Sequence, residues 1–322
     1  MKVIVTGGAG FIGSCIVRTL NDMGVDDITI VDHISRTDKW MNLRNKRYKE
    51  YIKRDDFLHR LPEFSGKVTH IIHMGACSST TERDFDFLYQ NNYEYTKTLW
   101  KFCTENQISF LYASSAATYG DGSQGFDDEK DIHSLIPLNG YGYSKHLFDL
   151  WAEKQNLKPK QHVGFKFFNV YGPNEYFKGS MASVVLHSFE QITKTGEMGL
   201  FKSYKDGYED GGQLRDFIYV KDICKVIRFM LEHEEVNGLY NLGTGKARSF
   251  CDLATATFHS MNLEPKIKYI EMPEALRMKY QYYTQASMDK LKRAGYQEPF
   301  YTLEDGVRDY VQNYLMRNGE IY

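Results

Sequence analysis

Tyr141-Gly142-Tyr143-Ser144-Lys145 sets a tyrosine and a lysine four residues apart, on one face of a helix. A tyrosine ordinarily titrates near ~10, too high to exchange protons at neutral pH. An ammonium one helical turn away, with a positively charged nicotinamide beside it, favours the phenolate. That phenolate can take a proton from a carbinol as hydride leaves the same carbon. With 24 tyrosines in the chain, such a pair arises by chance. A second signal separates this one from chance. Ala113-Ser114-Ser115-Ala116-Ala117-Thr118-Tyr119-Gly120 follows an apolar strand, so its hydroxyls sit at that strand's carboxyl end, and Ser115 is the one expected to orient the reacting oxygen.

The hydride needs a carrier, and the start of the chain supplies a place for it. Gly7-Gly8-Ala9-Gly10-Phe11-Ile12-Gly13 lies between the apolar run Lys2–Val5, a buried strand, and Ser14–Leu20, a helix. Gly7, Gly10 and Gly13 suit a sharp turn and a close backbone approach to a pyrophosphate, and the helix start offers free N–H groups and a partial positive charge. Without the flanking strand and helix, the same glycines would be only a glycine-rich turn. Asp32 ends the second strand, where an acid usually binds an adenosine ribose and favours NAD. Lys39 and Arg54 lie downstream, where basic groups hold a 2′-phosphate, so the residues alone leave NAD and NADP open. Asp55 or Asp56 is a further candidate contact for the adenine.

Stepping outward along the chain, strand and helix signals alternate. Strands are expected at Asp27–Asp32, near Tyr48–Ile52, at Val68–His73, Ile108–Ala113 and His162–Phe167, and one long helix at about 83–105. This predicts an α/β fold, a doubly wound parallel Rossmann sheet with ligands at the carboxyl ends of its strands. After Pro173 the alternation loosens, except for a strand–helix–strand return at 217–242. The expected division is a dinucleotide-binding domain at 1–170 with a return segment at about 216–260, and a smaller mixed α/β substrate domain from 171–215 and 261–322. Tyr204–Gly212 reads equally as an active-site lid or as a solvated connection.

Composition narrows the class. The chain has 322 residues, 42% of them hydrophobic, enough for a large core. A net charge of −2 gives no footprint for nucleic acid or an acidic membrane surface. The 5 cysteines are scattered without a C-x-x-C pair, which argues against a disulfide framework. The 10 histidines lack H-x-x-x-H spacing, and no metal is expected. No apolar stretch approaches the ~20 residues of a membrane span, and the chain enters its first strand without room for a signal peptide. The expected location is the cytoplasm.

Together these motifs resemble the extended short-chain dehydrogenase/reductase family of sugar-nucleotide enzymes, where the G-x-x-G-x-x-G spacing is typical. Three runs narrow the resemblance to the ADP-L-glycero-D-manno-heptose 6-epimerases: Met74-Gly75-Ala76-Cys77-Ser78-Ser79-Thr80-Thr81-Glu82, Phe168-Asn169-Val170-Tyr171-Gly172-Pro173, and Lys178-Gly179-Ser180-Met181-Ala182-Ser183. The likeness runs from Val3 to about Tyr314, and the last run is its most specific part. The resemblance implies NADP, held by Gly7, Gly10, Phe11, Ile12, Gly13, Asp32, His33, Lys39, Arg54, Met74, Gly75, Ala76, Cys77, Ser78, Asn91, Lys145 and Val170. It implies that Tyr141 and Lys178 are two acid/base residues, with Ser115 and Lys145 completing the catalytic set. It places the nucleotide sugar against Asn169, Ser180, His187, Phe201, Lys202, Ser203, Tyr204, Arg215 and Tyr280. Arg215 would act as a fork on the diphosphate. The implied activity is inversion at C6″ of an ADP-heptose, supplying the lipopolysaccharide inner core, in a homo-oligomer. Phe177 stands where a histidine can occur in the family, and the loop at 203–214 is longer than in some relatives. A UDP-hexose 4-epimerase on the same scaffold is the alternative. A 4,6-dehydratase would need acids where Ala116 and Ala117 stand, and a non-catalytic sensor would have no use for Ser115, Tyr141 and Lys145 together.

Overall fold

The computed structural model describes residues 1–277 and 280–322. In chain order its elements are β1 (Val3–Thr6), α1 (Phe11–Asp22), β2 (Ile28–Asp32), β3 (Glu50–Lys53), α2 (Arg54–Arg60), β4 (His70–His73), α3 (Phe85–Leu88), α4 (Tyr95–Asn106), β5 (Ser109–Ser115) and α5 (Gly140–Glu153). There follow β6 (His162–Phe167), β7 (Asn169–Tyr171), α6 (Val184–Thr195), β8 (Met198–Phe201), β9 (Leu214–Tyr219), α7 (Val220–Glu232), β10 (Gly238–Leu242), β11 (Ala247–Ser249), α8 (Phe250–Ser260), β12 (Ile267–Ile270), α9 (Glu274–Arg277), α10 (Asp289–Arg293) and α11 (Leu303–Asn313).

Seven strands form one sheet in the order β10-β6-β5-β4-β1-β2-β3. Its pairings are parallel throughout, with Val3 beside Ile28 on one side and His70 on the other. Both faces are covered. Ile16, Val17 and Leu20 of α1 pack with Ile223, Ile227 and Met230 of α7 on one side. Leu99, Trp100 and Cys103 of α4 pack with Phe148 of α5 on the other. That burial on two faces is why β1 reads as unbroken apolar sequence rather than an alternating pattern. The strand order reverses between β1 and β4, which opens a crevice at their carboxyl ends.

Two small sheets lie beyond the main one. One runs β11-β9-β7, with β9 parallel to β7 and antiparallel to β11, and β8 pairs parallel with β12. Helix α8 packs against α6, α11 and β8, so the outer layer has its own apolar centre around Ile192, Leu200 and Phe258.

The long helix expected at about 83–105 is interrupted. Between α3 and α4, Tyr89–Glu94 winds as a π-helix. Local periodicity does not reveal this widening, and it matters for the site. None of the described helices is long and apolar enough to cross a membrane.

Candidate active site

The crevice holds a cavity of about 740 Å³. Every residue expected to hold the cofactor, from Gly7 to Val170, lines it, and so do Ser115, Tyr141, Lys145, Lys178 and Asn169. Gly7 has φ +67°, and a Cβ there would stand 2.6 Å from the Gly75 nitrogen. A Cβ on Gly13 would stand 2.1 Å from the Gly7 carbonyl oxygen. Only glycine lets the loop, the end of β4 and the start of α1 come this close. The first N–H groups of α1 have no partner within the helix and are available to phosphate oxygens. The cavity therefore fits a dinucleotide on the geometry of its own backbone.

At the ribose end, Asp32 is buried and already engaged. Its carboxylate accepts from the Ala9 N–H at 2.8 Å, the His33 N–H at 2.6 Å and Lys39 Nζ at 2.6 Å. Arg54 pairs with Asp55 at 2.6 Å and donates to Asn91 Oδ1 at 2.9 Å. Asp55 is shared between Arg54 and His33, and Asp56 is exposed in the first turn of α2. Neither acid lines the cavity, though Asp55 is bound to two residues that do, His33 and Arg54.

At the chemical end, α5 is capped by Asn139, whose side chain accepts from the Gly142 N–H at 2.8 Å, so Tyr141 sits in the first turn and Lys145 one turn on. Burial pushes the Tyr141 phenol up, and the Ser115 hydroxyl beside it opposes that shift. Burial brings Lys145 down to about 8, against the pull of Asp149. Lys145 Nζ donates to the Ala113 carbonyl at 2.9 Å. That bond ties α5 to the end of β5.

Lys178 lines the same cavity from the loop between β7 and α6, with Nζ 5.6 Å from the centre of the Phe11 ring. Burial lowers its pKa, and Glu175 opposes that.

One residue that sequence reasoning passed over organises the floor. Asn92, in the π segment, is fully buried. Its side chain accepts from the Cys77 N–H at 2.8 Å, donates to the Cys77 carbonyl at 2.9 Å and donates to Ser144 Oγ at 3.0 Å. It thereby joins the 74–78 loop to the helix carrying Tyr141. A second buried chain runs beside it. His73 lies between Thr96 Oγ1 at 2.9 Å and Thr6 Oγ1 at 2.5 Å, and burial brings its imidazole down to about 3. The π winding is a local signal of function, but it is invisible in sequence.

The other residues expected at the substrate do not line this cavity. Phe201 meets Tyr280 edge to face at 6.3 Å, and the Arg215 guanidinium lies 5.3 Å from the Tyr280 ring and 5.6 Å from Phe250. Arg215 is buried, yet among the described residues no carboxylate pairs with it; its one hydrogen bond goes to the Leu214 carbonyl at 2.8 Å. Lys202 pairs with Glu271 at 2.7 Å, and Tyr204 carries Arg277 over its ring at 3.8 Å. The Ser203 N–H binds Asp210 at 2.7 Å and the Tyr204 N–H binds the Tyr282 hydroxyl at 2.9 Å, so the segment after β8 is fastened to its neighbours. Ser180 is exposed in the turn after Lys178, and His187 is half-buried on α6, 3.9 Å from Glu190. Neither lines the cavity, though the adjacent Met181, Ala182 and Ser183 do. Among the described residues, no group of His, Cys, Asp and Glu side chains is arranged to hold a metal ion.

Comparison with known proteins gives a consistent picture. The model of the NAD dependent epimerase/dehydratase family matches residues 3–243. An ADP-L-glycero-D-manno-heptose-6-epimerase from Fusobacterium nucleatum is 52% identical over 98% of both chains, and one from Nitratidesulfovibrio vulgaris is 54% identical over 97% of both. Among solved structures, the ADP-L-glycero-D-manno-heptose-6-epimerase of Helicobacter pylori superposes with a TM-score of 0.79 at 27% identity, covering 97% of this chain and 95% of that one. The UDP-glucose 4-epimerase of Thermus thermophilus, in complex with NAD, superposes with a TM-score of 0.77 at 25% identity, covering 97% and 98%.

Proposed function

The chain belongs to the NAD dependent epimerase/dehydratase family, and from that premise we propose that it interconverts ADP-D-glycero-D-manno-heptose and ADP-L-glycero-D-manno-heptose at C6″. The observation that carries this is the meeting of Ser115, Tyr141 and Lys178 in the cavity that the glycine loop closes. The bound dinucleotide supplies the hydride acceptor and donor. Tyr141 takes the proton of the C6″ hydroxyl, and Ser115 orients that oxygen. C6″ lies outside the sugar ring, so rotation about its bond presents the other face of the ketone and carries the oxygen elsewhere. Lys178 protonates or deprotonates the oxygen in that second position. No net oxidation results.

We assign NADP as the cofactor. Asp32 already has Ala9, His33 and Lys39 as donors, so its carboxylate is neutralised and does not repel a 2′-phosphate. Lys39 and Arg54 line the same end of the cavity. We assign the nucleotide diphosphate to Arg215, whose buried guanidinium has no anionic partner among the described residues, and the remainder of the substrate to the outer layer, in which α8 packs with elements of 171–215 and 261–322.

The test is to incubate the purified protein with ADP-D-glycero-D-manno-heptose and, separately, with UDP-galactose, and follow both by NMR. Conversion of the first alone is expected; conversion of UDP-galactose would replace the reading with a hexose 4-epimerase. For the cofactor, Lys39→Ala with Arg54→Ala should narrow the NADP-over-NAD preference by about 1.5–3 kcal/mol, as for hydrogen bonds to charged groups. An unchanged ratio in binding titrations removes the 2′-phosphate assignment.

A further inference from the structure

Lys178 is half-buried in the cavity wall, and among the described residues no carboxylate forms an ion pair with it. A buried lysine in that position tends to lose its proton to desolvation. The facing surface from α1 is the Phe11 ring, which carries no charge. Glu175, at the base of the same loop, opposes the effect of burial on Lys178, although burial raises its own pKa. Glu175 is fully buried, and its carboxylate accepts from the Ser183 N–H at 2.6 Å, Ser183 Oγ at 2.6 Å and the Gly172 N–H at 3.3 Å. The Glu175 backbone carbonyl accepts the Lys178 N–H at 3.0 Å.

These contacts have a definite geometry. Gly172 is where the loop leaves β7, and Ser183 is the cap where it enters α6. One carboxylate thus ties both ends of the segment that carries Lys178. The other titratable groups around Glu175 are Tyr310 of α11, Tyr176 of the same loop and Cys15 of α1, all held neutral by burial. A neutral side chain could have bridged Ser183 and Gly172. A buried carboxylate there is costly unless its charge has a use.

We propose that Glu175 is a positioning residue for Lys178: its carboxylate clamps the ends of the 172–183 loop and supplies the negative charge that keeps the Lys178 ammonium protonated inside the cavity. The inference rests on the acid–base role proposed for Lys178 and deepens it. The proton inventory of Lys178 is set by the loop itself, independently of Tyr141.

The test uses the holoenzyme with Glu175→Gln and Glu175→Asp. Lysines are labelled by ¹³C reductive methylation, and the Lys178 signal is assigned by its loss in Lys178→Arg. In Glu175→Gln the Lys178 titration should fall by about half a pH unit or more, the size expected for losing a nearby opposite charge. The limb of the pH–kcat profile that belongs to Lys178 should move with it, while cofactor affinity stays the same. Glu175→Asp keeps the charge but shortens the clamp; it should lower kcat and leave the titration near that of the parent. An unmoved Lys178 titration in Glu175→Gln overturns the proposal. If Glu175→Gln does not fold, Glu175→Asp decides: unchanged kcat overturns the clamp. If the titration moves and the pH–kcat profile does not, the charge role of Glu175 stands and the acid–base role of Lys178 fails.

Discussion

The inner wall of the cavity and the outer cluster around Arg215 treat their polar groups in opposite ways. On the inner wall Asp32, His73, Asn92 and Lys145 each have protein partners within hydrogen-bond distance, and the backbone approaches itself so closely that glycine is required. Around Arg215 a buried guanidinium meets, among the described residues, aromatic faces and one carbonyl, while Lys202, Tyr204 and Glu271 pair near solvent. The difference matches two kinds of occupant. A cofactor recycled in place is served by a wall whose side chains are largely paired in advance, with the first N–H groups of α1 left for its phosphates. A substrate that enters, turns and leaves is served by groups that await a partner. The inner wall is thus largely paired within the protein, and the outer cluster leaves a buried cation without an ion partner among the described residues.

Substitutions at the two regions should fail in different currencies. Tyr141→Phe is the largest effect: loss of a positioned acid/base group lowers kcat by about 10²–10⁴-fold with cofactor binding retained. Lys178→Met should match it overall, yet single-turnover oxidation of the two C6″ epimers should be impaired unequally in the two variants. Equal impairment would leave a one-tyrosine mechanism. Arg215→Met comes next. KM for the nucleotide sugar should rise by the equivalent of about 1.5–3 kcal/mol with a smaller change in kcat, since a diphosphate contact serves ground and transition states alike. The same variant should melt no lower than the parent without substrate, because it removes an unpaired buried charge. A clear fall in the melting temperature would mean that Arg215 is structural and would dissolve the contrast.

Asn92→Ala is the matching cut on the inner wall. Leaving the Cys77 backbone groups without their partner should cost about 1–3 kcal/mol of stability and weaken cofactor binding, while KM for the sugar changes little. A smaller consequence concerns His73. Its folded pKa of about 3 lies below the unfolded value of ~6.5. Its contribution to stability is therefore whole above pH ~6.5 and declines as pH falls below that. Buried carboxylates such as Asp149 and Glu175, raised by desolvation, work in the opposite sense. The clean readout is thus the imidazole itself, which should show no NMR titration between pH 8 and about pH 5; a midpoint in that range would contradict the Thr6–His73–Thr96 chain.

The inner wall was largely legible in sequence, and the reason is local. Gly7 to Gly13, Asp32, and Tyr141 with Lys145 each act through spacing along one strand–turn–helix unit, so their pattern survives without coordinates. The outer cluster joins Phe201, Arg215, Phe250 and Tyr280, which come from four separate stretches, and only resemblance brought most of them forward. Asn92 was missed because its partners, Cys77 and Ser144, lie far along the chain and its orientation depends on a helical widening that apolar periodicity does not encode. Glu175 was missed for a related reason: an acid in a loop usually reads as solvated, and its burial comes from α11 packing over it. The Tyr141–Lys145 pairing follows from helix spacing alone, whereas the bond from Lys145 to the Ala113 carbonyl lay outside that argument.

The π segment at Tyr89–Glu94 carries an implication for how this region can vary. A one-residue deletion there would give the regular helix that the surrounding sequence prefers. It would also turn the preceding turns by roughly a quarter of a circle, taking Asn91 away from Arg54 and Asn92 away from Cys77. The surplus residue acts as a phase shifter, letting two adjacent asparagines serve opposite ends of the cavity. Within α3 to α4 the residue count therefore sets which way the two asparagines face.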